Sequence, residues 1–198
     1  MKRPVILVPG WSDSPRVLRR CREFLIDAGW PAGEVHCLDF RDRYGSNIDH
    51  AGELAAAAER LRAAGGVDRV DVVAHSMGGL ALRQYVQDGG ADTVRTAIFV
   101  GTPHRGTLLA YLAWGRGGRE MRPGSDFLRQ LNARPLPAAV HAHCLRTPID
   151  SRVVPGASAW LDGAACHMVR LPTHPRMMRH PHTLRLIRLI LEDSTPAG

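Results

Sequence analysis

The sequence predicts a compact α/β fold in which about six mainly parallel strands form one sheet with helices on both faces. Short apolar runs rich in β-branched residues, typical of buried strands, alternate with segments of helical periodicity. Because parallel strands need a crossover connection, usually a helix, this alternation indicates βαβ units. The length of 198 residues favours a single domain over residues 1–198, since it allows one sizeable core but is short for two.

Six runs have the composition of buried strands, and four segments have helical patterns. The first run, at residues 5–8, contains only valine, isoleucine and leucine, and the run at 70–73 is nearly as apolar. The helical segments separate most of the runs and supply the crossovers. The predicted strands are residues 5–8, 35–40, 70–73, 96–100, 142–146 and 168–171. The predicted helices are residues 15–28, 48–64, 77–87 and 177–192.

The predicted sheet also indicates where a functional site should lie. Ligands of open parallel sheets bind at the carboxyl ends of the strands, so the loops that leave the strands are the ones to search. These loops are residues 9–14, 41–47, 75–77, 101–106, 147–150 and 172–174.

One connection is unusually long. Residues 104–140 carry glycines, prolines and arginines around an apolar stretch that includes Leu108, Leu112 and Trp114. A connection of this length in a compact domain is usually functional. We expect it to form a lid, a cap or a pocket wall in which these three side chains contact the substrate. The alternative is a surface excursion whose apolar residues pack on the body.

The third predicted strand turns abruptly into a helix around one serine. Ser76 has Ala74 two positions before it and Gly78 two positions after it. A nucleophile elbow needs small residues at both positions, because larger side chains would collide with neighbouring backbone in so tight a turn. The pattern therefore predicts a catalytic nucleophile whose hydroxyl stands clear of the sheet edge. The alternative is an ordinary turn in which Ser76 only caps the following helix.

A serine hydroxyl needs a base, and the base needs an acid that holds its tautomer. In doubly wound sheets that carry an elbow, the acid and then the base follow the serine, each on a loop after a strand. Asp150 fits the acid, because it ends a strand that leaves into a loop. Asp162 is the competing carboxylate, but its neighbours resemble a helix end and turn.

Ten histidines compete for the role of base. His174 fits best, because it follows the acid in a loop directly after a predicted strand and before the last helix. His180 and His182, at the entrance of that helix, are the alternatives. His75 lies inside the elbow, where its side chain should point away from Ser76. Four further candidates lie in or beside strands, or before the acid: His36, His141, His143 and His167.

Acyl transfer also requires hydrogen-bond donors for the developing oxyanion. One donor is the backbone N–H of the residue after the nucleophile, here Met77. The second comes from the loop after the first strand, where Gly10 allows a close approach of backbone and the N–H of Trp11 is the predicted donor.

Metal and cofactor chemistry is not indicated. The two His-x-His pairs, at residues 141–143 and 180–182, have no acidic or cysteine ligands at zinc spacing. The four cysteines form no CxxC motif, and we expect structural thiols rather than disulfides. They are Cys21, Cys37, Cys144 and Cys166. We therefore expect neither a metal nor an organic cofactor.

The net charge of +7 does not indicate a nucleic-acid partner. Lys2 is the only lysine among 26 basic residues, and the arginines are spread along the chain rather than gathered in a stripe with aromatics. The apolar runs are too short to span a bilayer. No secretory signal is visible, which favours a cytoplasmic location, whereas a processed form would be secreted.

In its elbow, its candidate acid and base and its loop after the first strand, the chain resembles a small bacterial lipase of the α/β-hydrolase superfamily, similar to the minimal Bacillus-type lipases. Residues 70–79 match that group closely, including its unusual Ala in the Ala-x-Ser-x-Gly elbow, and residues 39–47 are similar to its loop after the second strand. Asp150 and His174 fall where the family keeps its acid and base. The chain departs at Pro9, where the family usually has histidine, and in the longer 104–140 segment.

The predicted function is therefore that of a serine carboxylester hydrolase, a lipase or esterase. Its substrate would be a small-molecule or lipid ester, with transient contact to a lipid interface. A thioesterase or acyltransferase would use the same residues. A hydrolase-like fold that only binds a ligand is the alternative from another class.

Overall fold

The computed structural model of the protein describes residues 2–170 and 173–193. Within them, six strands form one sheet in the order β2-β1-β3-β4-β5-β6, and every pair of neighbours is parallel. The predicted sheet is thereby confirmed. The strands are β1 (Val5–Val8), β2 (Val35–Cys37), β3 (Val70–His75), β4 (Val94–Val100), β5 (His141–Arg146) and β6 (Ala165–Met168).

Six α-helices connect or follow these strands in the described part of the chain. They are α1 (Arg19–Asp27), α2 (Asn47–Gly65), α3 (Gly78–Gln87), α4 (Gly115–Glu120), α5 (Asp126–Asn132) and α6 (Pro181–Asp193). Short 3-10 turns add to them at Pro15–Leu18, Ala32–Glu34, Gly90–Asp92, Leu108–Leu112, Gly156–Ala159 and His174–Arg179.

The sheet is buried on both faces, as the apolar strand sequences predict. Successive side chains of a strand point to opposite faces, so β1 contributes to two cores. Ile6 and Val8 pack with residues of α2 and α3. Val5 and Leu7 pack on the other face with residues of α1 and α6. Helices therefore cover both faces.

The C-terminal part of the chain differs from the prediction in two places. The last strand is residues 165–168 rather than 168–171, and Leu171 lies outside the described residues. As an edge strand β6 is partly exposed, so an apolar run does not mark it. The predicted helix 177–192 is divided into the 3-10 turn at His174–Arg179 and α6, which begins at Pro181. Proline has no N–H and is tolerated only in the first turn of a helix.

The 104–140 segment is neither a loose loop nor a separate unit. Its side chains Leu128 and Leu131 from α5 are buried in a third apolar cluster with Met77 and Leu80 of the elbow and α3. Glu120, at the end of α4, accepts hydrogen bonds from Ser46 and Asn47, where α2 begins. The donors are Ser46 Oγ at 2.8 Å, Asn47 N at 2.7 Å and Asn47 Nδ2 at 2.8 Å. The segment is therefore anchored to the body at both places.

Candidate active site

Ser76 lies directly after β3 in a strained conformation. Its φ is 52°, a left-handed value that only Ser12, at 61°, shares among the described residues other than glycine. The N–H of Ser76 donates to Val100 O at 2.8 Å, which fixes the turn to β4. Helix α3 has its N-cap at Met77 and lacks a side-chain capping bond, so Ser76 does not have the cap role of the alternative interpretation. The local geometry is that of an elbow.

Asp150 and His174, the predicted acid and base, lie in contact with each other. Nδ1 of His174 lies 3.0 Å from Oδ2 of Asp150, and the two side chains are only 5% and 2% exposed. The other carboxylate oxygen of Asp150 accepts the backbone N–H groups of Arg152 and Val153, both at 2.8 Å. Gly101, with a φ of 59°, leaves room for the imidazole, since a Cβ there would lie 3.1 Å from its Nδ1. The pair is thus held from three sides.

The environment favours the neutral imidazole and the ionised carboxylate. Burial lowers the pKa of His174 and the charge of His75 adds to this, while the hydrogen bond to Asp150 opposes it without reversing the direction. Burial alone would raise the pKa of Asp150, but the hydrogen bond from His174 and the two backbone N–H groups lower it. A neutral imidazole next to an ionised carboxylate is the state in which a histidine can accept a proton.

The competing residues lie elsewhere. Asp162 is 83% exposed and pairs with Arg105 at 3.3 Å. His182 is exposed, and neither it nor His180 lines the cavity described next. Of the two candidate acids and the three histidines within residues 174–182, the structure brings together only Asp150 and His174.

A cavity of about 500 Å³ opens beside the elbow. Ser76, His174 and Trp11 line it, so the predicted nucleophile and base face one space. This volume lies in the range of small-molecule sites. Further lining residues are Ser12, Asp13, Val17, His75, Thr107, Met121, Arg152 and Met178.

The 104–140 segment forms an apolar wall of this cavity, with one correction to the predicted residues. Leu112 and Trp114 line the cavity, although they are also 80% and 64% exposed. Leu108 is not among the lining residues and is 55% exposed, while the next residue, Leu109, lines the cavity in its place. The 3-10 turn at Leu108–Leu112 directs these neighbouring side chains differently. A run of apolar letters does not show which of them face inward.

The loop after β1 approaches the elbow closely. We refer to residues 9–12, which contain the predicted donor Trp11, as the oxyanion loop. A Cβ added to Gly10 would lie 3.0 Å from the Cβ of Ser76, so any larger residue here would press against the elbow. Neither the N–H of Trp11 nor that of Met77 donates a backbone hydrogen bond within the described residues. The indole of Trp11 donates to Trp114 O at 3.1 Å, which links the loop to the 104–140 segment.

Sequence reasoning missed Asp13. This carboxylate lines the cavity and lies 3.6 Å from Nδ1 of His75. The available signal was an acidic residue in a loop that leaves a strand, but nothing in the sequence pairs it with His75.

Residues 2–170 and 173–193 contain no group of three or more His, Cys, Asp and Glu side chains that could hold a metal ion. His143 and His167 stack on each other, with Nδ1 and Nε2 3.1 Å apart, on adjacent strands. All four cysteines are free thiols. Among the described helices, none is both long and apolar enough to cross a membrane.

Comparison with known proteins supports the same fold. A family model described as the alpha/beta hydrolase family matches residues 5–193. The mature lipase BlEst2 from Bacillus licheniformis is similar with a TM-score of 0.85 at 17% identity, over 96% of this chain and 92% of that chain. Aspergillus fumigatus lipase B has a TM-score of 0.80 at 20% identity, over 94% of this chain and 51% of that chain. The product of gene lin2722 from Listeria innocua has a TM-score of 0.77 at 16% identity, over 97% of this chain and 94% of that chain.

Proposed function

The chain belongs to the alpha/beta hydrolase family, and we propose that it acts as a serine carboxylester hydrolase of the lipase or esterase type. One observation carries the proposal. A serine in a left-handed elbow conformation and His174, whose Nδ1 lies 3.0 Å from the buried carboxylate of Asp150, face the same cavity. The similarity to BlEst2 and to lipase B at such low identity supports the fold, and the site itself supports the chemistry.

The proposed reaction begins when Oγ of Ser76 attacks the ester carbonyl carbon. His174 takes the hydroxyl proton on Nε2, because Nδ1 is held by Asp150. The tetrahedral intermediate collapses as His174 returns that proton to the leaving alcohol. Water then attacks the acyl-enzyme with His174 again as base, and this releases the acid and the free serine. Asp150 stays ionised and stabilises the imidazolium throughout.

The oxyanion of each tetrahedral intermediate needs two donors, which we assign to the N–H groups of Trp11 and Met77. The close approach of Gly10 to Ser76 brings the oxyanion loop within reach of the reacting carbon. Loss of one such donor typically costs about 3–4 kcal/mol of transition-state stabilisation. No metal or organic cofactor takes part in this scheme.

The apolar wall supports a substrate with a hydrophobic acyl group. Leu109, Leu112 and Trp114 line the cavity and Val17 contacts it from another element. All four are also partly exposed, together with Tyr111. Such an exposed apolar rim is typical of a surface that meets a hydrophobic partner, so we propose transient contact with a lipid interface that presents the ester.

Labelling with a fluorophosphonate tests the proposal directly. The parent protein should react at Ser76, as shown by mass spectrometry of the labelled peptide, and Ser76→Ala should not react. Parallel assays with matched oxygen esters, thioesters and acyl acceptors should show the highest kcat/KM with oxygen esters and water. A folded parent without labelling or turnover would instead be a binding protein, and a preference for thioesters would indicate a thioesterase.

A further inference from the structure

A second histidine–aspartate pair lies beside the first. His75, the last residue of β3, is 6% exposed at its side chain, and its ring centre is 4.8 Å from that of His174. Nδ1 of His75 lies 3.6 Å from Oδ2 of Asp13, within reach of an ion pair. On the other side, Nε2 lies 3.3 Å from the backbone oxygen of His174. The His75 ring thus stands between Asp13 and the backbone of the proposed base.

Both neighbours of the His75 ring accept hydrogens. A backbone carbonyl oxygen accepts only, so Nε2 must carry the proton in that contact. The carboxylate of Asp13 faces Nδ1 at 3.6 Å, which is an ion-pair distance but too long for a hydrogen bond, and Nδ1 has no hydrogen-bond partner among the described residues. The contact between the two side chains is therefore electrostatic rather than a hydrogen bond, and it is strongest when the ring is protonated.

Asp13 in turn follows the oxyanion loop. Its N–H donates to Gly10 O at 3.2 Å, and its Oδ2 lies so close to Gly10 that a Cβ there would be 3.0 Å away. Ser12 is held in a left-handed conformation, and its N–H donates to Arg43 O at 3.1 Å. The loop that carries Trp11 is therefore fixed at its end by Asp13.

These contacts join three loops whose relative positions matter for the proposed reaction. Asp13 follows the oxyanion loop, His75 immediately precedes the nucleophile, and the His174 carbonyl belongs to the residue proposed as the base. Errors of about 1 Å in the relative position of reacting groups can cost about a hundredfold in rate.

We propose that Asp13 and His75 form a positioning pair that fixes the oxyanion loop relative to Ser76 and to the backbone of His174. The inference rests on the proposed ester hydrolysis and assigns to it two residues outside the triad. Neither residue exchanges a proton with the substrate. They act through the positions of the Trp11 N–H and the His174 imidazole.

The test compares His75→Gln, Asp13→Asn and the double variant with the parent on a short nitrophenyl ester. We expect each single variant to lose about tenfold or more in kcat with KM within about twofold, because a positioning defect acts on the transition state. The double variant should lose no more than the worse single variant, since both substitutions break one contact chain. The rate constant for fluorophosphonate labelling of Ser76 should fall in parallel.

A pH profile gives an independent readout of the contact between His75 and His174. The groups around His75 are Asp13 and His174, and His174 also responds to Asp150 and Arg152. The charge of His75 contributes, after burial, to the lowered pKa of His174. His75→Gln removes that charge, so the acid limb of kcat/KM should move to higher pH.

His50→Gln and Asp162→Asn are the matched controls. His50 is also buried, and its Nε2 lies 2.7 Å from a backbone oxygen, but it does not line the cavity. Both controls should keep the parental kcat. A parent that neither hydrolyses esters nor labels at Ser76 contradicts the proposed function. An active parent whose folded His75→Gln and Asp13→Asn variants keep its kcat, or whose losses multiply in the double variant, overturns the positioning role.

Discussion

The backbone oxygen of Pro9 occupies the space that a side chain at Gly78 would need. A Cβ at position 78 would lie 2.2 Å from that oxygen, far inside van der Waals contact. The small residue two positions after the elbow serine is therefore required by the oxyanion loop itself. The elbow motif and the loop after β1 form one packed unit.

Gly78→Ala should destabilise the protein by about 3 kcal/mol, because the backbone of Pro9 must move to admit the methyl group. The displaced oxyanion loop should also lower kcat in the variant that remains folded. Gly52→Ala is the control, since position 52 lies within α2 in open space and should gain about 1 kcal/mol from helix propensity. Urea unfolding measures the free energy of unfolding of both variants. Equal stabilities of the two variants would contradict the packing argument.

Ser76→Ala should abolish ester hydrolysis while the fold stays intact. Removal of a nucleophile typically lowers kcat by about six orders of magnitude, and a remnant over water stays because the oxyanion donors are still present. The measurement is kcat with a nitrophenyl ester, with circular dichroism to establish folding. Substantial turnover in the folded variant would assign the nucleophile elsewhere.

His174→Ala should be about as damaging as the serine change, and Asp150→Asn somewhat less, because the members of a triad act as a unit. The double variant His174→Ala with Ser76→Ala should then lose no more kcat than Ser76→Ala alone. His182→Ala, an exposed histidine on α6, is the control and should keep the parental kcat. If His182→Ala or His180→Ala were inactive and His174→Ala active, the assignment of the base would be wrong.

The acid limb of kcat/KM should lie below pH 6.5. The base acts only when neutral, and burial lowers the pKa of His174 below its ordinary value of 6.5. Activity should therefore persist as the pH falls through 6.5 and decline about tenfold per pH unit only below the lowered pKa. Initial rates with a short nitrophenyl ester in buffers of constant ionic strength measure this. A midpoint at or above 6.5 would contradict the effect of burial.

Replacing Leu112 and Trp114 by serine should lower kcat/KM for long esters more than for acetate or butyrate esters. Both side chains line the cavity, and burial of each acyl methylene is worth about 0.8 kcal/mol. Leu108→Ser is a close control, because Leu108 lies on the same turn, is also exposed and does not line the cavity. The ratio of kcat/KM for long and short esters should change only in the first variant. An unchanged ratio would mean that the wall does not select chain length.

The regular part of the fold was predictable because each element carries its own pattern. The central strand β1 is continuously apolar, β3 is apolar except at Asp71 and at its last residue, His75, and α2 follows its capping residue Ser46. Helix α4 was not predictable, because Gly115–Glu120 contains three glycines and has poor helix propensity. Its anchor is Glu120, whose contacts with Ser46 and Asn47 are about seventy residues away in the chain.

The functional site likewise contains residues that the sequence could identify and residues that it could not. Ser76, Asp150 and His174 could be selected by motif and by position after a strand, which are local properties. Asp13 could not, because its relation to His75 depends on two loops meeting across the sheet edge. The exchange of Leu108 for Leu109 on the cavity wall likewise depends on the rotation of a single 3-10 turn.

The third apolar cluster divides the 104–140 segment into two regions under different constraints. Leu128 and Leu131 are buried against the elbow, so truncating either to alanine should cost about 2–5 kcal/mol and withdraw support from Met77. Leu112 and Trp114 are 80% and 64% exposed, so truncating either side chain should cost less folding free energy than truncating Leu128 or Leu131. Substrate range can therefore diversify at the outer residues while the inner ones keep the nucleophile in place. A randomised library limited to positions 109, 112 and 114 would remain mostly folded, which makes this rim the natural target for directed evolution of selectivity.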